Sequence, residues 1–158
     1  MMRRPALAAL ISGLLIASAA GAGGTRAALR IDGAWIRTPP PGAPTAAGYA
    51  VIENLSSRPD RLVGAQTKAA STASPHVSSM VGGVMRMREA PGGLPVPAHG
   101  SLTLAAGGDH LMLMGLNHPL RPGERVTITL SFAKAGKVAA TFEVRDGPAM
   151  RGMGGHRM

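Results

Sequence analysis

Along the chain from about residue 30, apolar residues fall in short alternating or β-branched runs, cut by clusters of Gly, Pro, Asn and Asp. No stretch sustains the 3.6-residue period of an amphipathic helix, so the pattern predicts an all-β domain. Strands are expected over residues 34–37, 46–53, 61–67, 75–81, 84–89, 101–105, 110–114, 126–133 and 138–145. The first ends at Thr38-Pro39-Pro40-Pro41-Gly42, a stiff connector of polyproline type. Gly82-Gly83 is the two-residue turn of a β-hairpin, and a Pro- and Gly-rich connector covers 91–97. Eight or nine short strands at this spacing suggest a Greek-key barrel or sandwich.

The two ends of the chain do not follow this pattern. Arg3 and Arg4, the apolar run 7–16 and the small residues after it read as a secretory signal covering 1–22, with cleavage as late as 27. The run is shorter than the roughly 20 residues of a membrane-spanning helix, so removal is expected and no membrane span. Export to the periplasm or beyond follows, and the β-domain is expected over 31–145. From 146 to 158 the chain is glycine-rich without an apolar period, and is expected to be a flexible tail.

Composition narrows the function classes. The absence of cysteine excludes a disulfide scaffold, a thiol oxidoreductase, a Cys-ligated zinc domain and a blue-copper carrier, whose chromophore needs a thiolate. It also removes any N-terminal Cys for a lipid. The formal charge is +9, but the basic residues are scattered and only four residues are aromatic, which argues against nucleic acid. For an exported protein such charge serves solubility and steering toward an acidic protein partner. Ten methionines are unevenly placed. Apart from Met1 and Met2, all lie between Met80 and Met158.

Strand parity places these methionines beside histidines. With Gly82-Gly83 as the turn, Val81 opposes Val84, and His76, Ser78 and Met80 share a face with Met85, Met87 and Glu89. His76 is then diagonal to Met87, about 7–8 Å apart along the backbone, a gap two side chains can close around one ion. In His110-Leu111-Met112-Leu113-Met114, the histidine and methionines alternate with two core leucines. Methionine commonly fills core gaps, which would account for either strand alone. Two strands with the same pairing favour a ligand set. Thioether sulfur is soft and selects Cu(I) over zinc, calcium or magnesium, and it forms no disulfides in an oxidising compartment.

The spacing His76, ten residues, Met87, twenty-two residues, His110-x-Met112 resembles the H-x10-M-x21-H-x-M motif of the periplasmic PCuAC copper chaperones. The flanking Asp32-Gly33-Ala34-Trp35-Ile36-Arg37, Ala47-Gly48-Tyr49 and Gly107-Gly108-Asp109 are similar too, and the likeness runs from about Ile31 to Val144. The resemblance implies a cupredoxin-like barrel that binds Cu(I) through His76, Met87, His110 and Met112. It further implies delivery of copper for cytochrome c oxidase assembly, with the oxidase copper subunit or another chaperone as acceptor. The second spacer is one residue longer than the motif, which a bulge or loop insertion between Arg88 and Gly108 would absorb.

A copper buffer or resistance protein without a dedicated acceptor fits the same residues. Catalysis is not expected: no H-E-x-x-H, no G-x-S-x-G and no paired carboxylates accompany the His/Met strands. Glu89 and Asp109 would offset the charge of the ion. In the tail, Met150, Met153, His156 and Met158 form M-x2-M-x2-H-x-M. It is either a biased disordered end or a second copper site that takes Cu(II) through His156. His99 and His118 read as surface histidines in loops, and a monomer is expected.

Overall fold

The computed structural model describes residues 28–147, and the expected signal segment and the Met/His tail lie outside them. Ten strands make up the described structure: β1 (Leu29–Arg37), β2 (Thr45–Asn54), β3 (Asp60–Thr67), β4 (Ala70–Val81), β5 (Val84–Glu89), β6 (Leu94–Val96), β7 (Ser101–Leu104), β8 (His110–Leu116), β9 (Arg125–Phe132) and β10 (Gly136–Arg145). Among the described residues there is no helix. The all-β expectation holds, with one strand more than the eight or nine expected.

The extra strand is β6, inside the Pro- and Gly-rich connector. Its pattern is too short to read from sequence, because Pro95 stands at its centre. It is nevertheless paired to β3, with Leu94 opposite Leu62 and Val96 opposite Asp60. Leu94 and Val96 are buried. A proline is tolerated there because the strand lies at a sheet edge.

The sheet runs β5-β4-β8-β2-β1-β10-β9-β3-β6, and pairing of β3 with β4 at Ala65 and Ala73 closes seven of the strands into a barrel. All pairings are antiparallel except β1 with β10, where Trp35, Ile36 and Arg37 run beside Glu143, Val144 and Arg145. This parallel contact of the first and last described strands gives the cupredoxin-like topology. β7 does not lengthen the series but shares β2 with β8. β8 takes Thr45 to Gly48 and β7 takes Ala50 to Glu53.

Two strands begin earlier than expected. β1 carries an irregularity between Asp32 and Trp35, where Gly33 adopts φ 57, and this masks the strand upstream of it. β4 runs straight through Pro75. The proline carbonyl accepts the Ala90 N–H at 3.0 Å, while the Ala90 carbonyl takes the Gly93 N–H at 2.8 Å instead of the amide that proline lacks. The missing donor therefore leaves no acceptor unpaired.

The barrel interior is filled by Ile36, Ile52, Leu62, Leu111, Leu113, Ile128, Leu130, Phe142 and Val144, all essentially inaccessible to solvent. Asn54 ends β2 from a buried position, donating to the carbonyls of Arg58 and Val96 and accepting from Ser56. Asp60 opens β3 and ties it to the β9–β10 turn by accepting the N–H groups of Lys134 and Ala135.

Candidate metal centre

The β4–β5 hairpin adopts the expected register throughout: Val81 opposes Val84, Met80 opposes Met85, Ser78 opposes Met87 and His76 opposes Glu89. Gly82 and Gly83 take φ 58 and 77, the two positive values that a tight hairpin turn of this kind requires. On the other side of β4, strand β8 sets His76 directly opposite His110 and Ser74 opposite Met112. His76, Met87, His110 and Met112 thus lie on one face of three adjacent strands, β5-β4-β8. Met87 is diagonal to His76 on one side and Met112 is diagonal to it on the other.

The two imidazoles lie nearly parallel, with ring centroids 5.8 Å apart and planes 12° from each other. His110 Nδ1 is 2.9 Å from the Gly108 carbonyl, and His76 Nδ1 is 3.3 Å from the Ser74 carbonyl. A carbonyl only accepts, so in the neutral ring each contact puts the proton on Nδ1 and leaves the lone pair on Nε2. His110 Nε2 is buried and has no hydrogen-bond partner in the protein. A buried acceptor without a partner costs about 1–3 kcal/mol, so its lone pair is suited to an ion. The Gly108 carbonyl also accepts from Ser78 Oγ at 2.9 Å, which pins the 105–109 loop to β4.

Burial differs sharply across the set. His110 is 3% exposed, Met112 and His76 are half-buried, and Met87 is 56% exposed. Leu111 and Leu113 point into the core on the far side of β8, which holds His110 and Met112 rigidly. Met87 stands on β5, whose residues are all exposed. Beside Met87, His110 and Met112 opens a cavity of about 250 Å³, walled by Arg37, Thr38, Pro39 and Tyr49. Tyr49 packs on Trp35 with ring centroids 4.8 Å apart. The connector that begins at Thr38 reads from sequence only as a strand terminator. That it walls the site depends on the β2–β8 pairing of Ala47 with Met112.

The remaining candidates do not join this group. His99, exposed and at φ 50, lies in the turn between β6 and β7, toward the end of β2 away from Met112. His118 pairs with Asn117 and Glu124 beyond the end of β8. It lines a larger cleft of about 720 Å³ with Lys68, Glu124 and Arg125, where no sulfur donor is present. Met114 follows Met112 on the same face and opposes Thr45 and Thr72, one step farther from the histidines. Glu89 and Asp109 flank the set as expected, Glu89 directly across from His76. Among the described residues no three His, Cys, Asp or Glu side chains gather as a metal cluster, and the further donors on this face are the methionine sulfurs.

Residues 29–144 match the model of the LpqE-like family, described as "Putative lipoprotein LpqE-like". The chain belongs to this PCuAC-type family. Over 152 residues this LpqE-like protein is 32% identical to "Putative lipoprotein Lxx21020" of Leifsonia xyli subsp. xyli, covering 92% of the chain and 90% of that relative. Unlike a lipoprotein acylated on cysteine, the sequence here offers no cysteine to modify. Its fold is similar to the copper-bound PCuAC domain from PmoF2, with TM-score 0.64 and 26% identity over 76% of this chain and 94% of that domain. It is also similar to the Cu(I) form of DR1885 from Deinococcus radiodurans, with TM-score 0.58 and 38% identity over 73% and 76% of the two chains.

Proposed function

We propose that this protein is an exported copper chaperone that holds one Cu(I) ion through His76, Met87, His110 and Met112 and passes it to an acceptor during cytochrome c oxidase assembly. The observation that carries the reading is the buried, unpartnered Nε2 of His110 on a face shared with a second imidazole and two thioethers. Two neutral nitrogens and two neutral sulfurs form a soft set that suits Cu(I) and gives Cu(II) or zinc little advantage. The copper-bound PCuAC domain and the Cu(I) form of DR1885 support the choice of metal.

Transfer follows from the burial gradient. Met87, exposed on an edge strand, is the ligand at which an incoming donor first reaches the ion, and His110 is the last of the buried ligands to let go. The ion therefore never has to enter water as a free cation. The excess of Lys and Arg favours an acidic acceptor surface and speeds encounter. The Met/His tail, with Met150, Met153, His156 and Met158, would act as an auxiliary site that collects ions, including Cu(II) through His156. The 1–22 segment would direct export.

The test is competition for Cu(I) against a chromophoric chelator, with wild type and a Met87→Ala/Met112→Ala variant side by side. One-to-one binding in wild type that weakens strongly in the variant is expected. Equal affinity in the two proteins would overturn the ligand assignment.

A further inference from the structure

The sulfur on the β4–β5 hairpin extends past the four-residue set. Met80 directly opposes Met85 at the tip, and Met87 is diagonal to Met80 on the same face. A two-residue turn makes the flanking Val81–Val84 pair hydrogen-bonded. The pairs on the sulfur face, Met80–Met85 and Ser78–Met87, are therefore of the non-hydrogen-bonded kind, whose backbones approach to about 4.5 Å and whose side chains lie closest. Flexible thioethers on such pairs readily converge on one ion.

Packing does not explain these residues. Met80, Met85 and Met87 are 63%, 44% and 56% exposed, so they fill no core gap. Nor is an apolar tip by itself the reason, because sulfur is sorted by face. The opposite face of the same tip carries Val81 and Val84 with Arg86 and Arg88, and no methionine. β-Branched residues suit strands better than methionine does, so three thioethers on the side that leads to His76 are a chemical choice rather than a conformational one.

We propose that Met80, Met85 and Met87 form a second, outer site for a soft monovalent ion, all sulfur and open to solvent. Through it Cu(I) enters and leaves the His76/His110/Met112 centre. Met80 lies four residues from His76 along β4, about 13 Å, and Met87 stands midway opposite Ser78. Met87 can keep its bond while Met80 and Met85 are exchanged for the two imidazoles. No proton or electron moves in that exchange, since every ligand is neutral and the ion stays Cu(I). The direction of this relay rests on the four-ligand reading, whereas the outer site itself does not.

The experiment uses Ag(I), a redox-inert and diamagnetic stand-in for Cu(I), with the full chain carrying methionine labelled at the ¹³C-methyl. Each methionine then reports separately, so ions taken by Met150, Met153 or Met158 are not confused with those on the hairpin. In wild type the Met87 and Met112 methyls are expected to shift with the first equivalent, and those of Met80 and Met85 with the second. In a His110→Ala/Met112→Ala variant the Met80, Met85 and Met87 methyls are expected to shift together with the first. Met80 and Met85 signals that stay fixed in both proteins would overturn the outer site. A fixed Met112 signal in wild type would instead overturn the inner ligand set. A Met80→Leu/Met85→Leu variant, with every inner ligand intact, is expected to bind the first ion as tightly as wild type but exchange it more slowly with a chelator. Unchanged exchange rates in that variant would overturn the relay.

Discussion

The strands that carry the four proposed ligands differ in how they are held. β8 lies inside the barrel, with Leu111 and Leu113 buried on one side and His110 and Met112 on the other. β5 and the outer end of β4 project beyond it, with every β5 residue exposed and the hairpin held by its own β4–β5 pairing and glycine turn. One region offers a preorganised, desolvated nitrogen, and the other offers sulfur that a partner can reach. A carrier needs both, because an ion bound entirely by buried ligands is slow to leave and one bound entirely by exposed ligands is easily lost. Under the proposed function this division gives retention to β8 and exchange to the hairpin.

The most severe way to break this contrast is to remove the support beneath the rigid half. Leu111→Ala leaves a cavity at a fully buried position and is expected to cost about 3–4 kcal/mol of stability. Chemical denaturation should show the loss, and Cu(I) affinity should fall with it because His110 adjoins the cavity. His110→Ala tests the ligand without the core. Its affinity should drop beyond the ~10–100-fold that losing a partner behind a metal ligand typically costs. The same competition assay should show a smaller drop for Met87→Ala, and an equal drop would erase the distinction between the two halves.

Asp60 offers a control far from the metal face. Burial of its carboxyl raises the pKa, but the N–H groups of Ala135, Arg61 and Lys134, with the Lys134 charge, outweigh this and hold it below the ordinary carboxylate value. A lowered folded-state pKa contributes stability that is present above the ordinary carboxylate pKa and is lost as pH falls through the lower folded value. Asp60→Ala should therefore cost about 2 kcal/mol near neutrality, and the difference from wild type should shrink in acid. Thermal melts across that range would show it, with Cu(I) affinity at neutral pH unchanged.

The smallest effect should come from the flexible half. Gly83→Ala forces a side chain onto a residue at φ 77, a strain of about 1–2 kcal/mol confined to the turn. Because the tip lies outside the barrel, the melting temperature should barely move. Amide exchange should quicken from Val77 to Arg88, and Cu(I) exchange with a chelator should change more than Cu(I) affinity.

Much of this arrangement is legible in the chain because its causes are local. Alternation fixes which side chains share a face within a strand, and Gly82-Gly83 admits one tight turn, so the hairpin register from Val81–Val84 to His76–Glu89 follows from sequence alone. The leucines of 110–114 predict that the histidine and methionines face away from the core, as they do. Local signals fail where a distant strand supplies the reason. β6 exists because Leu62 and Asp60 pair with a segment containing Pro95, and β4 passes through Pro75 because Gly93 satisfies the Ala90 carbonyl.

By itself, then, the sequence determined the all-β class, the hairpin and the donor types, since these depend on side-chain alternation, turn stereochemistry and the softness of sulfur. Only the tertiary structure decided that His110 lies opposite His76, that Met112 is diagonal to it, and that Tyr49, Arg37 and the start of the proline connector wall the cavity. Those placements depend on registers between strands far apart in the chain, such as His76 with His110 and Ala47 with Met112, and on closure through the parallel β1–β10 pair. No neighbouring residue encodes such a register. It is set when every strand buries its apolar face in one common core, and the face left outside gathers the nitrogen and sulfur.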